Sequence, residues 1–241
     1  MTSELEVQKK MTVAEHLEEL RGRLIKSVIA IAIGTLFSLF FAPKVFEIFK
    51  SRAPGILFIF IEPTEMLATY FKVAVLTGLV LAMPVIVYQV VMFIFPAITE
   101  KEKRYLYAML PGVAVSFLIG AAFAYFVLLP PALKFLFTFA ADVATPQIKI
   151  GSYVSTVATL IFWIGVVFET PIVIFFLARI GLVSPDFLSR NRKFAIVLAF
   201  VLSAVITPTP DPLNQSLVAL PLILLFEVGV LLARLAYRKR E

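Results

Sequence analysis

The sequence predicts an all-α integral membrane protein of six transmembrane helices with cytoplasmic N and C termini. Three observations carry that reading. Of the 241 residues, 61% are hydrophobic and 16% charged, a balance too apolar for an ordinary soluble domain. Apolar runs long enough to cross roughly 30 Å of hydrocarbon recur along the chain, with charged residues at their borders. Lys and Arg are also unevenly shared: 16 fall on the side that carries the termini and five opposite, with Lys72 inside a span. Basic residues gather on the cytoplasmic side of membrane proteins, so both termini are placed there.

Residues 12–24 come first, as an amphipathic helix. Val13, Leu17, Leu20 and Leu24 fall on one stripe at helical spacing, and Thr12-x-x-Glu15 reads as a capping box. Spans follow at about 23–43, 66–95, 104–130, 152–180, 194–207 and 213–233, forming a single polytopic membrane domain over 1–241. Between the first two, the run from Ala53 to Ile61 is too short to cross and is bracketed by Arg52 and Glu62, which places it at the outer surface. Thr99-x-x-Glu102 opens the third span as a second capping box, while Ser184-Pro185 and Asp211-Pro212 each pair an N-cap residue with proline at the first helical position. Pro84, Pro111, Pro171 and Pro221 lie in or near spans, where they are expected to kink helices and free carbonyls. The fifth span, Phe194 to Thr207, has only 14 residues, or about 21 Å of helix. With the sixth it forms a hairpin expected to stop short of the outer surface, unless Leu188 to Lys193 extends the helix inward.

Several classes of function are excluded or disfavoured. The chain has no cysteine, which removes disulfides, thiolate metal sites and cysteine nucleophiles, and His16 is its only histidine. No His-Glu-x-x-His or Gly-x-Ser-x-Gly motif occurs, so no enzyme activity and no cofactor are expected. The net charge of +6 sits in loops beside apolar runs, as topology requires, which argues against nucleic acid as a partner. The first apolar run ends at Phe41-Ala42-Pro43-Lys44 instead of a small-x-small cleavage site, so no removed signal peptide is expected.

Acidic residues are the candidates for chemistry. Glu15, Glu18 and Glu19 precede the first span where basic residues are the rule, and they invite a cationic partner. Local structure accounts for much of this: Glu15 completes the capping box, Glu18 can pair with Arg21 at i,i+3 and Glu19 with Arg23 at i,i+4. Such exposed pairs contribute only about 0.3 to 0.5 kcal/mol each, so an incoming guanidinium could displace them. The helical wheel alone does not choose between Glu18 and Glu19. Glu169, in Phe168-Glu169-Thr170-Pro171, lies near the middle of a span, where a charge costs at least about 2.5 to 3.5 kcal/mol and must face protein or water. Its alternatives are a functional intramembrane acid or an interhelical clasp with Thr170 or a carbonyl freed by Pro171. Glu227, within two turns of Arg234, and Lys72, able to snorkel outward, raise the same question with less force.

His16-Leu17-Glu18-Glu19-Leu20-Arg21-Gly22-Arg23-Leu24 resembles the H-L-x-E-L-R-x-R-L signature that opens the TatC family, the receptor subunit of the twin-arginine protein translocase. The resemblance continues through Ala82-Met83-Pro84-Val85-Ile86-Val87-Tyr88-Gln89, Phe93-Ile94-Phe95-Pro96-Ala97, Glu102-Lys103-Arg104, Gly120 to Phe126, Phe168-Glu169-Thr170-Pro171, Thr207-Pro208 with Asp211, and Leu225 to Gly229, in the family's order. It implies a multi-pass protein of the prokaryotic cytoplasmic membrane with a concave face, working with single-span TatA/TatB-type subunits in homo- and hetero-oligomers. By motif position, Glu19 and Glu102 are implied as the carboxylates that accept the paired arginines of signal peptides, with Arg21 and Phe93 nearby. Glu169 is implied as an intramembrane acid on the concave, partly hydrated surface. The short hairpin is implied as the docking place of the partner subunits, with Gln215 as a polar contact and Asp211 beside it. The chain reads Thr-Pro-Thr-Pro-Asp where the family usually has Thr-Pro-Pro-Asp. The alternative to a receptor is a proton-coupled secondary transporter of a small solute using Glu169; no internal repeat is visible to support it.

Overall fold

The computed structural model describes residues 13–94, 100–138, 147–207 and 211–237; the side chains of residues 13, 14 and 100–102 lie outside that description. Ten α-helices are present among the described residues: α1 (Val13–Leu39), α2 (Ala42–Lys50), α3 (Glu65–Ile94), α4 (Glu100–Phe123), α5 (Leu129–Thr138), α6 (Ile150–Phe168), α7 (Thr170–Arg179), α8 (Pro185–Arg190), α9 (Arg192–Ile206) and α10 (Pro212–Ala236). Five helical stretches are long and apolar enough to cross a membrane, namely α1, α3, α4 through α5, α6 through α7, and α10. At 15 residues α9 is the short exception, about 22 Å of helix. It lengthens inward only by Arg192 and Lys193, because Asn191 (φ −97°, ψ 13°) separates it from α8. The Thr12 and Thr99 caps lie outside the described residues, whereas Ser184 and Asp211 cap as expected, accepting from the amides of Phe187 (3.2 Å) and Asn214 (2.7 Å).

Several elements depart from the sequence reading. The amphipathic helix and first span form one continuous helix, and it stops at Leu39, not residue 43, giving way to α2. Its leucine stripe does not pack on protein: Leu17, Leu20 and Leu24 are exposed, and the polar side carrying His16, Glu19 and Arg23 meets α3 instead. A lipid environment removes the penalty for exposed apolar side chains, so the polar side is the one that gains from a protein neighbour. The third span runs past 130 to Thr138, because a π-helical turn at Ala124–Leu128 shifts the register just before Pro130 and Pro131, which then fall in the first turn of α5. Pro84, Pro111 and Pro221 are carried inside continuous helices, whereas Pro171 follows a break at Glu169.

Packing starts from the α1/α3 hairpin. Arg23 reaches Gln89, and Gly34 meets Gly78, so the two helices run antiparallel. A Cβ on Gly34 would lie 2.5 Å from the Gly78 carbonyl oxygen, so backbone touches backbone there, as small residues allow between membrane helices. The main core gathers Val73, Leu128, Leu129, Val154, Val157 and Ile164 between α3, the π turn, α5 and α6. A side chain on Gly165 would strike the Phe117 ring of α4.

At the end opposite the termini, Phe58–Ile59 (β1) pairs in parallel with Ile148–Lys149 (β2). That pairing places part of the 53–61 run. Tyr153 donates to the Phe49 carbonyl (2.7 Å), and Arg52 stacks on the Tyr125 ring (3.9 Å from the centroid), holding α2 to α6 and to the π turn.

Candidate functional site at the terminal end

At the end of the bundle bearing the termini, α1 presents Glu19 one turn before Arg23. Both Nε and Nη2 of Arg23 donate to Glu19 Oε1, with Nε at 2.8 Å. A third donor, Nη1, reaches Oε1 of buried Gln89 on α3 at 3.3 Å. The guanidinium therefore occupies one Glu19 oxygen, while the other, Oε2, is buried without a hydrogen-bond partner. An ionised carboxylate holds about four acceptor sites, so half of this one is unused in a place water does not reach. The helix spacing that lets i and i+4 meet explains the first contact; the second depends on α3 running alongside.

His16, one turn earlier on the same side, stacks on Phe93 with ring centroids 4.5 Å apart. Phe93 thus lies against the α1 face that carries Glu19. Arg21 and Glu18 are exposed, and the Glu18–Arg21 pair is not formed; among the described residues neither makes an ion pair. Glu102 falls in the first turn of α4, but its side chain lies outside the described residues, so its approach to Glu19 is not described. Tyr88 of α3 and Tyr107 of α4 join their hydroxyls at 2.8 Å, which fixes the start of α4 beside the α1/α3 pair.

Glu169 stands elsewhere. It is 4% exposed, inside the protein and not on an open concave surface. It closes α6 and opens α7, and neither carboxyl oxygen has a hydrogen-bond partner. The clasp expected of Glu169 is made by Ser116 of α4, whose hydroxyl donates to the Phe168 carbonyl at 2.6 Å. The break exposes that carbonyl, since Pro171 starts a new helix.

Other expected contacts also move. Glu227 pairs with Arg192 across the α9/α10 hairpin, through two contacts of 2.8 Å, instead of with Arg234. Lys72 donates to Ser155 Oγ at 2.7 Å. Gln215 donates to the Phe200 carbonyl at 3.0 Å and so stitches the same hairpin, while Asp211 caps α10. Around these, α9 exposes Phe194, Val197, Leu198, Val201 and Val205.

Sequence reasoning missed Glu65 and Gln89. Glu65 is buried, accepting from the amides of Ile61 (3.1 Å) and Gly151 (3.0 Å), with Lys149 at 3.6 Å. A carboxylate at the start of a helix carries no signal distinguishing a cap from a clasp to distant backbone. Gln89 was legible only as part of a resemblance motif.

A family profile for the Sec-independent protein translocase protein (TatC) matches residues 15–221. The Sec-independent protein translocase protein TatC of Aquifex aeolicus is 43% identical over 237 residues, covering 96% of this chain and 98% of that protein. Its counterpart from Carboxydothermus hydrogenoformans is 36% identical and covers 94% of each. A crystal structure of a twin-arginine translocase receptor, TatC, superposes with a TM-score of 0.78 at 43% identity, covering 93% of this chain and 100% of the other.

Proposed function

Because this chain belongs to the TatC family of Sec-independent protein translocase proteins, we propose that it captures twin-arginine signal peptides at the Glu19 face and recruits partner subunits for export of folded precursors. Membership makes it a multi-pass translocase component of the prokaryotic cytoplasmic membrane and not an enzyme. The recognition step is the part the residues bear on.

The carrying observation is the half-used Glu19 carboxylate: one oxygen held by Arg23, the other buried and unpartnered. A guanidinium has five donors in a planar fork, so an arginine entering beside Arg23 would find an acceptor already desolvated and oriented. Arg23 holds the rotamer in advance, which lowers the ordering cost of binding. Lysine, a point charge without the fork, would recover less. Glu102, in the first turn of α4, would take the second arginine, with Phe93 and Arg21 at the rim. Signal peptides then lay their apolar segment along the membrane face, single-span TatA/TatB-type subunits dock at the α9/α10 hairpin near Gln215, and the proton gradient drives export of the folded precursor. The exposed apolar side of α9 and its short length support that place.

The test is binding of an Arg-Arg signal peptide to the detergent-solubilised chain before and after Glu19→Gln and Glu102→Gln. Removing one charge-assisted contact of about 1.5–3 kcal/mol predicts roughly 10- to 150-fold weaker binding for each. Undiminished affinity in both variants refutes the assignment.

A further inference from the structure

We propose that the cleft between α3 and α6, at the end of the bundle opposite the termini, binds a phosphate ester presented by the headgroup of a membrane phospholipid. The cleft encloses about 520 Å³, and Glu62, Glu65, Lys72, Lys149, Ser152 and Ser155 line it. That volume lies within the range of about 300 to 1,000 Å³ typical of small-molecule sites.

Lys72, exposed to the cleft, is its cation without a carboxylate partner among the described residues. It lies two turns into α3 from Glu65, inside a membrane-spanning helix, and its ammonium donates to Ser155 Oγ alone among the described residues. The nearby acids are engaged elsewhere, Glu62 and Glu65 both facing Lys149 at 3.9 and 3.6 Å. Two of the three Lys72 donors therefore point at no protein acceptor. Ser155 donates its hydroxyl hydrogen bond to the Gly151 carbonyl (2.7 Å), which leaves its lone pairs for Lys72 and orients the ammonium. The hydroxyls of Ser152 and Thr156, on the same helix, make no hydrogen bond among the described residues. A lysine, two hydroxyl donors and an open, polar-lined cavity suit the oxygens of a phosphate.

The surroundings decide between a lipid and a free anion. The cleft shares Ser152 and Thr156 with a second cavity of about 200 Å³ whose other walls include Leu133, Leu136 and Phe137. Polar and apolar cavities in contact match an amphiphile, headgroup in one and acyl chain against the other. The side toward α9 is low, because that helix ends at Ile206; there a further cavity of about 230 Å³ runs from Ser155 to Thr207. The cleft also carries both signs: the Glu62 side chain, 69% exposed and facing Lys149 through one oxygen at 3.9 Å, keeps its other carboxylate oxygen at the mouth for an amine on the headgroup.

The experiment measures phospholipid retained by the purified full-length chain. The protein is stripped with detergent and re-equilibrated with micelles of phosphatidylethanolamine or of a galactosyl diacylglycerol that lacks phosphate, then analysed by native mass spectrometry. Retention of one phosphatidylethanolamine is expected in the unaltered protein and in Lys72→Arg, with at least tenfold less in Lys72→Gln. Lys134→Gln, on exposed α5 surface, should retain as the unaltered protein does. Ser155→Ala provides a second reading should Lys72→Gln fail to fold, with at least threefold loss expected. Equal retention of the phosphate-free lipid overturns the proposal, as does retention unchanged in Lys72→Gln or, if that fails to fold, in Ser155→Ala. Saturable binding of inorganic phosphate that depends on Lys72, without retained lipid, overturns the lipid source and identifies a free-anion site.

Discussion

Replacing Glu65 by alanine should release the membrane-surface loop from the start of α6. The carboxylate accepts two backbone amides, Ile61 N–H at 3.1 Å and Gly151 N–H at 3.0 Å, one to each oxygen. Gly151 makes room for it, since a Cβ there would lie 2.9 Å from Oε1. Hydrogen bonds to a charged acceptor contribute about 1.5–3 kcal/mol each, so each amide should lose that much protection. Lys149 adds less than about 1 kcal/mol, because it is partly exposed and screened. At 1.36 kcal/mol per tenfold, hydrogen exchange at Ile61 and Gly151 should accelerate roughly 10- to 150-fold in Glu65→Ala. Glu65→Gln separates the two contacts. Its amide keeps one acceptor oxygen and turns a donor toward the other N–H, so only one of the two sites should lose protection. Exchange mass spectrometry of peptides covering residues 56–64 and 148–154, at constant detergent and pH, reads both. Unaltered protection at both amides in Glu65→Ala would show that β1/β2 pairing and the neighbouring helices hold the loop without the carboxylate, and the reasoning would fail.

Two further outcomes test the packing. Ser116→Ala leaves the Phe168 carbonyl at the α6/α7 break without its donor, which should cost about 1–3 kcal/mol and lower the melting temperature followed through the single tryptophan, Trp163; Ser116→Thr should restore it, and a melt identical to the unaltered protein in Ser116→Ala would deny the clasp. Gly78→Leu inserts a side chain where the α1 backbone passes, with an overpacking cost of about 1–3 kcal/mol; a variant that melts with the unaltered protein would show that α1 is not seated by that crossing.

Much of the fold was readable because lipid imposes a coarse rule. A helix that crosses must be long and apolar, and its borders must be charged or capped, so the spans around α3, α6/α7 and α10 and the caps at Ser184 and Asp211 follow from local composition. The shortness of α9 is legible for the same reason. What the pattern could not give is which side of a helix meets protein. In water the leucine stripe of residues 13–24 would have to be buried; in a membrane it can face lipid, and here the Glu19 side packs instead. Of the four prolines read as kinks, Pro171 follows a break in the helix and Pro84, Pro111 and Pro221 sit within continuous helices, a distinction the residue type alone does not make; the register shift at Ala124–Leu128 has no sequence signature of comparable strength.

The candidate sites divide along the same line. Glu19 was singled out from Glu18 only by the family resemblance, and its pairing with Arg23 is local geometry that any helix would supply. Its unpartnered oxygen is not local: it exists because α3 brings Gln89 and Phe93 against α1 and excludes water. Glu169 was conspicuous by its place in an apolar run, but whether it faced a hydrated surface or the interior depended on α4, which covers it. Glu65, Lys72 and Glu227 find their partners at residues 151, 155 and 192, tens of residues away. Local composition was enough to establish a helical membrane protein and to make certain carboxylates conspicuous; what each charged group meets came only from the packing of the helices. A charge in or beside a bilayer must be satisfied by something, but the partner is chosen by helix packing, which local sequence does not encode.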